Sequence, residues 1–249
     1  MKGGSGMRIY TDLHIHSCLS PCGDADMTPN NIVNMARLAG LTAIALTDHN
    51  ACGNCPAILE AAKGSGLTVL PGMELCTSEE AHVVCLFPSL EAALAFEAQV
   101  LPTLPPFRNR PEIFGEQLIL DGEDNIIGYA EAFLAGASGI SVDKVAALAR
   151  SFQGTAFPAH IDRPSYSVPA ALGDIPPVGF AAAEVTVMGD PEQMQARYPA
   201  IRGLPLLLDS DAHYLHQIQE AGPYLELPQN TPEAIIAALN GEIPCQWGR

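Results

Sequence analysis

The sequence lacks features that mark several whole classes of protein. It has no apolar run near the roughly 20 residues that a membrane-spanning helix requires. Its first residues are too polar for a signal peptide, so we expect a cytoplasmic protein with no membrane partner. Lysine and arginine are scarce, 12 against 28 aspartates and glutamates, which gives a net charge of −16. Because affinity for phosphate backbones comes from basic side chains, this balance argues against a stand-alone nucleic-acid binder.

The cysteines do not have the number or setting of a disulfide framework. There are seven of them, an odd number, in a chain without an export signal. Cys52 and Cys55 have the spacing of a redox pair or of half a zinc site, and Cys18 and Cys22 form a second close pair. A four-cysteine metal site and an ordinary buried role for these thiols both stay open.

The composition and the order of elements predict an α/β protein. Hydrophobic residues make up 48% of the 249 residues and charged residues 16%, which is typical of a globular domain with a sizeable core. Short apolar runs bounded by turn residues alternate with capped helical segments, which favours a parallel sheet, open or closed into a barrel. The strands are predicted at 8–14, 42–47, 67–71, 81–87, 156–160, 180–187 and 205–209. The helices are predicted at 28–38, 55–63, 90–100, 141–152, 191–198 and 231–240.

Two segments depart from this alternation. Residues 1–6 are rich in glycine and are predicted to be a flexible linker or a cloning remnant, followed by a single domain at 7–249. Residues 102–141 begin with a proline-rich stretch and contain a predicted hairpin at 117–129 with its turn at 121–125. We expect this second segment to be an insertion that covers one face of the domain.

Histidines and carboxylates collect at the ends of the predicted strands. In a parallel α/β fold these ends point to one face, so side chains that are far apart in sequence should converge there. Such a carboxylate-rich cluster would repel itself without bound cations. The histidines are His14, His16, His49, His82, His160, His213 and His216, and the last of these lies beyond the clusters and is not expected to take part. The neighbouring acids are Asp12, Asp24, Asp48, Glu74, Asp209 and Asp211.

The spacing at the first strand suits a metal site. In the segment from Asp12 to His16, alternate residues of an extended chain point the same way. His14 and His16 can therefore bind one ion together while Leu13 and Ile15 pack into the core. Neutral imidazole and carboxylate are ligands that zinc, manganese and iron all accept.

Taken together, these motifs resemble the PHP family, named for polymerase and histidinol phosphatase. The resembling segments run in order along most of the chain: DLHIHS at 12–17 with Asp24 and Thr28-Pro29, TDHN at 47–50, PGMEL at 71–75 with His82, PAHIDRP at 158–164 and SDAH at 210–213. The resemblance implies a distorted (β/α)7 barrel with an inserted, hairpin-containing subregion and a site for two or three divalent ions.

The resemblance also implies which side chains bind each ion. The first ion would be held by His14, His16, Glu74 and Asp211, the second by Asp24, His49 and His213, and the third by Glu74, His82 and His160. Some family members have a histidine where Asp24 aligns, and Asp26 is close to that position. Asp12 and Asp48 are expected to orient the histidines from behind.

The implied activity is that of a metal-dependent phosphoesterase. A hydroxide bridging the ions would attack phosphorus, with Asp211 and His213 at the reacting centre. Arg163 would hold the phosphate, although a structural salt bridge is the alternative role for it, and Arg108 and Arg110 could also reach over the pocket. The expected substrate is a small-molecule phosphomonoester, and we do not expect nucleic acid as a partner. A phosphodiesterase or nuclease for short nucleic acids or nucleotides and a non-catalytic metal-binding module remain as alternatives.

Overall fold

A computed structural model describes residues 6–248 of the chain. The predicted linker at 1–6 lies outside the described residues except for Gly6. The strands are β1 (Met7–Ile15), β2 (Ala43–Leu46), β3 (Thr68–Cys76), β4 (His82–Leu86), β5 (Leu118–Leu120), β6 (Ile126–Tyr129), β7 (Thr155–Pro158), β8 (Ala183–Thr186), β9 (Leu206–Asp209), β10 (Tyr224–Leu227) and β11 (Gln246–Gly248). The helices are α1 (Pro29–Leu38), α2 (Cys55–Ala61), α3 (Leu90–Val100), α4 (Pro111–Phe114), α5 (Val142–Ser151), α6 (Val168–Leu172), α7 (Pro191–Arg197) and α8 (Pro232–Leu239). No helix among residues 6–248 is long and apolar enough to cross a membrane.

The main sheet has seven strands in the order β11-β10-β1-β2-β3-β4-β7 and curls into part of a barrel. The pairs β1–β2 and β2–β3 are parallel, as expected, whereas β3–β4, β4–β7 and β1–β10 are antiparallel. The antiparallel pairing follows from a short connection, because β3 ends at Cys76 and β4 begins at His82, which is too close for a helical crossover. The prediction of a distorted α/β barrel is confirmed, with a mixed sheet in place of a wholly parallel one.

The parallel pair β8–β9 closes the ring between β7 and β1. On one side, the Ile161 amide donates to the Glu184 carbonyl at 2.9 Å. On the other, the His16 amide donates to the Ala212 carbonyl at 2.9 Å. The segments that follow β1, β2, β3, β7 and β9 therefore meet at one rim.

Local capping explains most helix starts. Thr28 and Thr231 accept hydrogen bonds from Asn31 and Ala234 respectively, and each is followed by a proline in the first turn. Ser141 begins α5 as predicted, but its side chain makes no capping bond; the Val142 amide donates instead to the Glu79 carboxylate at 3.0 Å.

Two buried layers hold the barrel together. Leu13 belongs to the layer inside the curled sheet, and Ile15 belongs to the layer between the sheet and its outer helices. Both side chains are fully buried, as the alternation predicted. The β1–β2 register shifts between Asp12 and Ile15, and an irregularity of this kind re-aims the side chains beside it.

Residues 102–141 contain the predicted hairpin, formed by β5 and β6. Asn54 attaches it to the barrel, because its side chain accepts from the Leu120 amide at 2.9 Å and donates to the Leu118 carbonyl at 3.0 Å. Asn50 attaches the later part by donating to the carbonyls of Leu134 and Gly136, at 2.7 and 2.8 Å. These hydrogen bonds attach residues 118–136 to the loop that carries His49.

Candidate metal centre

Glu74, at the centre of the rim, is surrounded by imidazoles. Its Oε1 lies 2.9 Å from His82 Nδ1, 3.1 Å from His160 Nε2 and 3.3 Å from His14 Nε2. Its Oε2 lies 2.8 Å from His49 Nδ1. The carboxylate is 1% exposed, so the imidazoles rather than solvent surround its oxygens. One buried carboxylate thus faces histidines from β1, β4 and the loops after β2 and β7.

A first group of four donors contains His14, His16, Glu74 and Asp211. The Nε2 atoms of the two histidines are 3.2 Å apart, and Asp211 Oδ1 is 3.4 Å from the first and 3.2 Å from the second. All four side chains are buried. This is the set that the resemblance implied for one ion.

Two further groups share members with the first. His16, His49 and His213 form one, and His49, Glu74 and His82 form the other; within each group the donor atoms lie within 4.8 Å of one another. His160 is outside these three groups but reaches the centre through its contact with Glu74. Shared donors are what a cluster of neighbouring ions needs.

Asp24 is the predicted ligand that the structure does not bring into the cluster. Its Oδ1 accepts a hydrogen bond from the Asp26 amide at 2.9 Å, and its own amide donates to the His213 carbonyl at 2.9 Å. Its backbone therefore braces the loop beside His213, while its carboxylate serves the turn in which it sits.

Buried nitrogen and oxygen atoms without hydrogen-bond partners show that the cluster fits divalent cations. His49 Nδ1, Glu74 Oε2 and Asp211 Oδ1 are buried and have no hydrogen-bond partner among the described residues, although other polar atoms lie close to them. Such atoms are costly to bury unless something binds them. The cluster mixes imidazoles with carboxylates, and several of these groups approach one another without hydrogen-bond geometry. This matches the ligand chemistry of zinc, manganese or iron.

The backbone around the cluster is strained. Asn50, His160 and Asp211 have φ values of 50°, 31° and 50°, in the left-handed region that residues other than glycine rarely adopt. Backbone of this kind persists where surrounding contacts enforce it, and it is common at functional sites.

The buried charges perturb one another strongly. Burial opposes ionisation of Glu74, but the neighbouring His82 and His14 outweigh it and hold the carboxyl pKa well below its usual range. Burial likewise opposes ionisation of Asp211, and its pKa is lowered by the charges of the neighbouring His14 and His16. Both groups are carboxylates at neutral pH and can bind cations.

The histidines of the cluster differ in the direction of their pKa shifts. Burial lowers the pKa of His16 and His49, but their carboxylate partners reverse this and raise each to about 9. Burial and the charge of His16 lower the pKa of His213 to about 3, which keeps its ring neutral. Metal ions must therefore displace protons from His16 and His49 but not from His213.

A serine and an aspartate support His16 from behind. Ser20 Oγ lies 2.8 Å from His16 Nδ1 and donates to Asp48 Oδ1 at 2.7 Å. Asp48 also accepts from the Ser17 amide and hydroxyl, at 2.7 and 2.6 Å. Asp48 thus orients a histidine as expected, but through Ser20.

Asp12 accepts from the amides of Ser210 and Gln219, at 3.0 and 3.4 Å, and makes no hydrogen bond to a histidine within residues 6–248. The residue behind His14 is Glu184 on β8, which the sequence reading missed. Its Oε2 is 2.7 Å from His14 Nδ1, and its Oε1 accepts from the His160 amide at 3.0 Å. A glutamate among the small apolar residues of this strand was the signal, since a charge is rarely buried without a partner.

A cavity of about 280 Å³ opens over the cluster. Arg163 lines it and is paired with Asp211, Nη1 to Oδ2, at 2.6 Å. Ser165 and Tyr166 also line it and were missed from the sequence. The cavity therefore has the cationic Arg163 in its wall beside carboxylates and imidazoles of the cluster.

The remaining candidate residues lie elsewhere. Arg108 pairs with Glu131 at 3.6 Å, and Arg110 stacks over the Phe114 ring at 5.9 Å, so neither lines the cavity. His216 packs beside Tyr214, outside the cluster. All seven cysteines are free, and the donor groups found among residues 6–248 contain none of them.

Solved structures with low sequence identity share this fold. The lesion-specific endonuclease PfuEndoQ from Pyrococcus furiosus matches 97% of this chain at 20% identity and a TM-score of 0.71, and this chain spans 58% of its length. An endonuclease Q bound to a 27-mer duplex with an abasic lesion at its active site matches 96% of this chain, again at 20% identity, with a TM-score of 0.68. A Bifidobacterium adolescentis protein described as a metal-dependent phosphoesterase matches 94% of this chain and 97% of its own length at 20% identity, with a TM-score of 0.60. No curated protein matches the sequence.

These structures correct one expectation. The sequence reading named a small phosphorylated molecule as the partner and set nucleic acid aside because basic residues are scarce. Two of the similar structures are endonucleases, one of them bound to duplex DNA, and this contradicts that reading. Net charge describes the whole surface, whereas a metal cluster can neutralise phosphate at one place.

The sequence profile of the PHP domain matches residues 12–136, which is half of the chain and includes the first three motifs of the cluster. The donor groups described above are suited to binding several metal ions. This chain belongs to the PHP domain family of metal-dependent phosphoesterases.

Proposed function

We propose that this protein hydrolyses a terminal phosphate monoester with the help of two or three divalent ions, zinc, manganese or iron, bound at the Glu74 cluster. The convergence of histidines and carboxylates around Glu74, beneath a cavity that contains an arginine, carries the proposal. The terminal phosphate could be carried by a small molecule or by the end of a nucleic-acid strand. Ions bound there would neutralise phosphate charge and lower the pKa of water.

The protein's own residues supply orientation and charge. Arg163 presents a planar guanidinium, 43% exposed, which can turn from Asp211 toward two oxygens of a phosphate. Asp211 lies between this arginine and His16, so it links the phosphate-binding side of the cavity to the metal-binding side. His213 stays neutral, so its ring can bind an ion without first losing a proton.

Cleavage of a phosphodiester in nucleic acid is the second candidate. It is supported by the endonucleases that share the fold over most of this chain. The same cluster could stabilise either reaction, because both develop charge on the non-bridging oxygens of one phosphorus.

The test uses protein that has been stripped by a chelator and reloaded with manganese or zinc. Phosphate release from p-nitrophenyl phosphate supports the monoesterase, and preferential cleavage of bis(p-nitrophenyl) phosphate or an abasic-site oligonucleotide supports the second candidate. His49→Ala should abolish turnover, and His216→Ala is the matched control because that histidine lies outside the cluster. Fully loaded protein that hydrolyses none of these esters would be a non-catalytic binding module.

A further inference from the structure

The loop at 161–166, between β7 and α6, forms one wall of the cavity and is held at both ends. At its start, the Arg163 amide donates to the His160 carbonyl at 2.9 Å. At its end, the buried Ser167 hydroxyl donates to the Arg163 carbonyl at 2.8 Å, and the His82 amide donates to the Tyr166 carbonyl at 2.8 Å. The side chains on this loop are therefore presented to the cavity from a fixed backbone.

Tyr166 occupies an unusual position on that loop. Its φ of 55° is in the left-handed region, which is unfavourable for a bulky aromatic residue. Its ring lies against His82 with centroids 5.1 Å apart and planes 29° apart, yet 55% of the residue remains exposed. Packing in the core does not account for a tyrosine here, because the ring lies at the cavity wall rather than in either buried layer.

The residues that share the cavity with Tyr166 indicate what its ring binds. Asp211 and Arg163 mark where a phosphate would bind, and Ser165 and Tyr166 line the same space. A group attached to a phosphate at Arg163 would occupy the same cavity, where the Tyr166 ring is available to it. An exposed aromatic face beside a phosphate site is suited to stacking on a planar ring.

We infer that Tyr166 selects phosphate esters that carry a planar heterocycle, such as a nucleobase, by stacking on it. The inference rests on the proposed function, because it places the ester phosphate at Arg163. Stacking on an aromatic side chain changes affinity by about ten- to a hundredfold per base. The effect should fall mainly on KM, because the ring would contact the base rather than the reacting phosphorus.

The test compares adenosine 5′-monophosphate with ribose 5-phosphate, which both release a primary 5-hydroxyl of ribose and differ in whether C1 carries the base. The wild-type protein should prefer the nucleotide by about tenfold or more in kcat/KM. Tyr166→Leu should lose the preference by raising KM for the nucleotide more than for ribose 5-phosphate, and Tyr166→Phe should retain it. A 5′-phosphorylated oligonucleotide assayed in parallel shows whether the base is preferred free or at a strand end.

Equilibrium binding separates this inference from the proposed function. Calorimetric titration of metal-loaded protein with both compounds should show tighter binding of the nucleotide, reduced by Tyr166→Leu and kept by Tyr166→Phe, whether or not turnover occurs. Equal affinity for the two compounds in the wild type would overturn the inference, as would an equal loss for both in Tyr166→Leu. Absence of hydrolysis with any ester would overturn the proposed function instead.

Discussion

Glu184 on β8 fixes the ring of His14 across the barrel, with 2.7 Å between Oε2 and Nδ1. Both side chains are fully buried. Because this bond holds Nδ1, it directs Nε2 of the imidazole toward His16, Glu74 and Asp211. The second oxygen of the same carboxylate holds the strained backbone of His160, so one residue positions two donors.

Replacing this carboxylate should weaken metal binding without removing a ligand. We expect Glu184→Gln to lower metal affinity by about ten- to a hundredfold, because carboxylates behind metal-binding histidines orient the ring and raise its basicity. Titration against a competing chelator measures the change. Glu242→Gln is the control, since that glutamate is exposed. Unchanged affinity in Glu184→Gln, with the fold intact by circular dichroism, would contradict the positioning role.

Asp24 and Asp211 should behave differently when neutralised. Asp24→Asn should keep the full metal content, because the carboxylate serves its own turn and lies outside the donor groups. Asp211→Asn should lose at least one ion, because its Oδ1 faces both His14 and His16. Elemental analysis after gel filtration reports both. Loss of an ion from Asp24→Asn would restore it to the ligand set.

Replacing Arg163 should lower kcat/KM more than it lowers the stability of the fold. We expect Arg163→Ala to lower kcat/KM by about ten- to a hundredfold, the size of a lost hydrogen bond to a charged group. Arg163→Lys should recover part of this loss, since it keeps the charge but not the two-pronged geometry. Steady-state kinetics measure the effect. A variant with normal kinetics and a lower Tm would assign Arg163 to a structural salt bridge with Asp211 alone.

Metal-free protein should lose stability as the pH rises from 6.5 to 9. His16 and His49 have folded pKa values of about 9, above the ordinary value of 6.5, so their contribution to stability is complete below 6.5 and is lost as the pH rises through 9. Below pH 6.5, His213 with a folded pKa of about 3 lowers the stability while Asp12 with a folded pKa of about 6 raises it, so the clear decline is expected on the alkaline side.

Urea denaturation of the stripped protein across pH 5 to 10 checks this, and bound metal should remove the decline above pH 6.5 because metal replaces those protons. Stability of the stripped protein that rises steadily from pH 6.5 to 9 would mean that the two histidines are not protonated in the fold.

The histidines and carboxylates of the cluster were predictable from the sequence, because strands in α/β folds place their final residues at a common rim. The prediction was successful for α1, where the capping Thr28 and the apolar spacing agreed, and for α3, whose bounds were predicted at 90–100. It missed β10 and β11, which pair at the edge of the sheet, because they span only four and three residues, too few for periodicity to separate a strand from a loop.

The site was less predictable away from the motifs. Glu184 and Tyr166 depend on how β8 and the loop after β7 approach residues that are distant in sequence, and local patterns do not contain that information. Asp24 was placed by its position relative to Thr28-Pro29, but the turn that it forms with Asp26 decides where its carboxylate points. The partner was misjudged because total charge was used in place of the local charge of the cluster.

The central claim is that side chains meeting around Glu74 bind several divalent ions. Elemental analysis of stripped protein reloaded with manganese, compared with Glu74→Gln treated in the same way, tests it most directly. We predict two or three ions per chain in the wild type and a marked loss in the variant, because Glu74 belongs to two of the donor groups. A folded wild-type protein that retains no metal after reloading, or a variant with the same metal content, would contradict the claim.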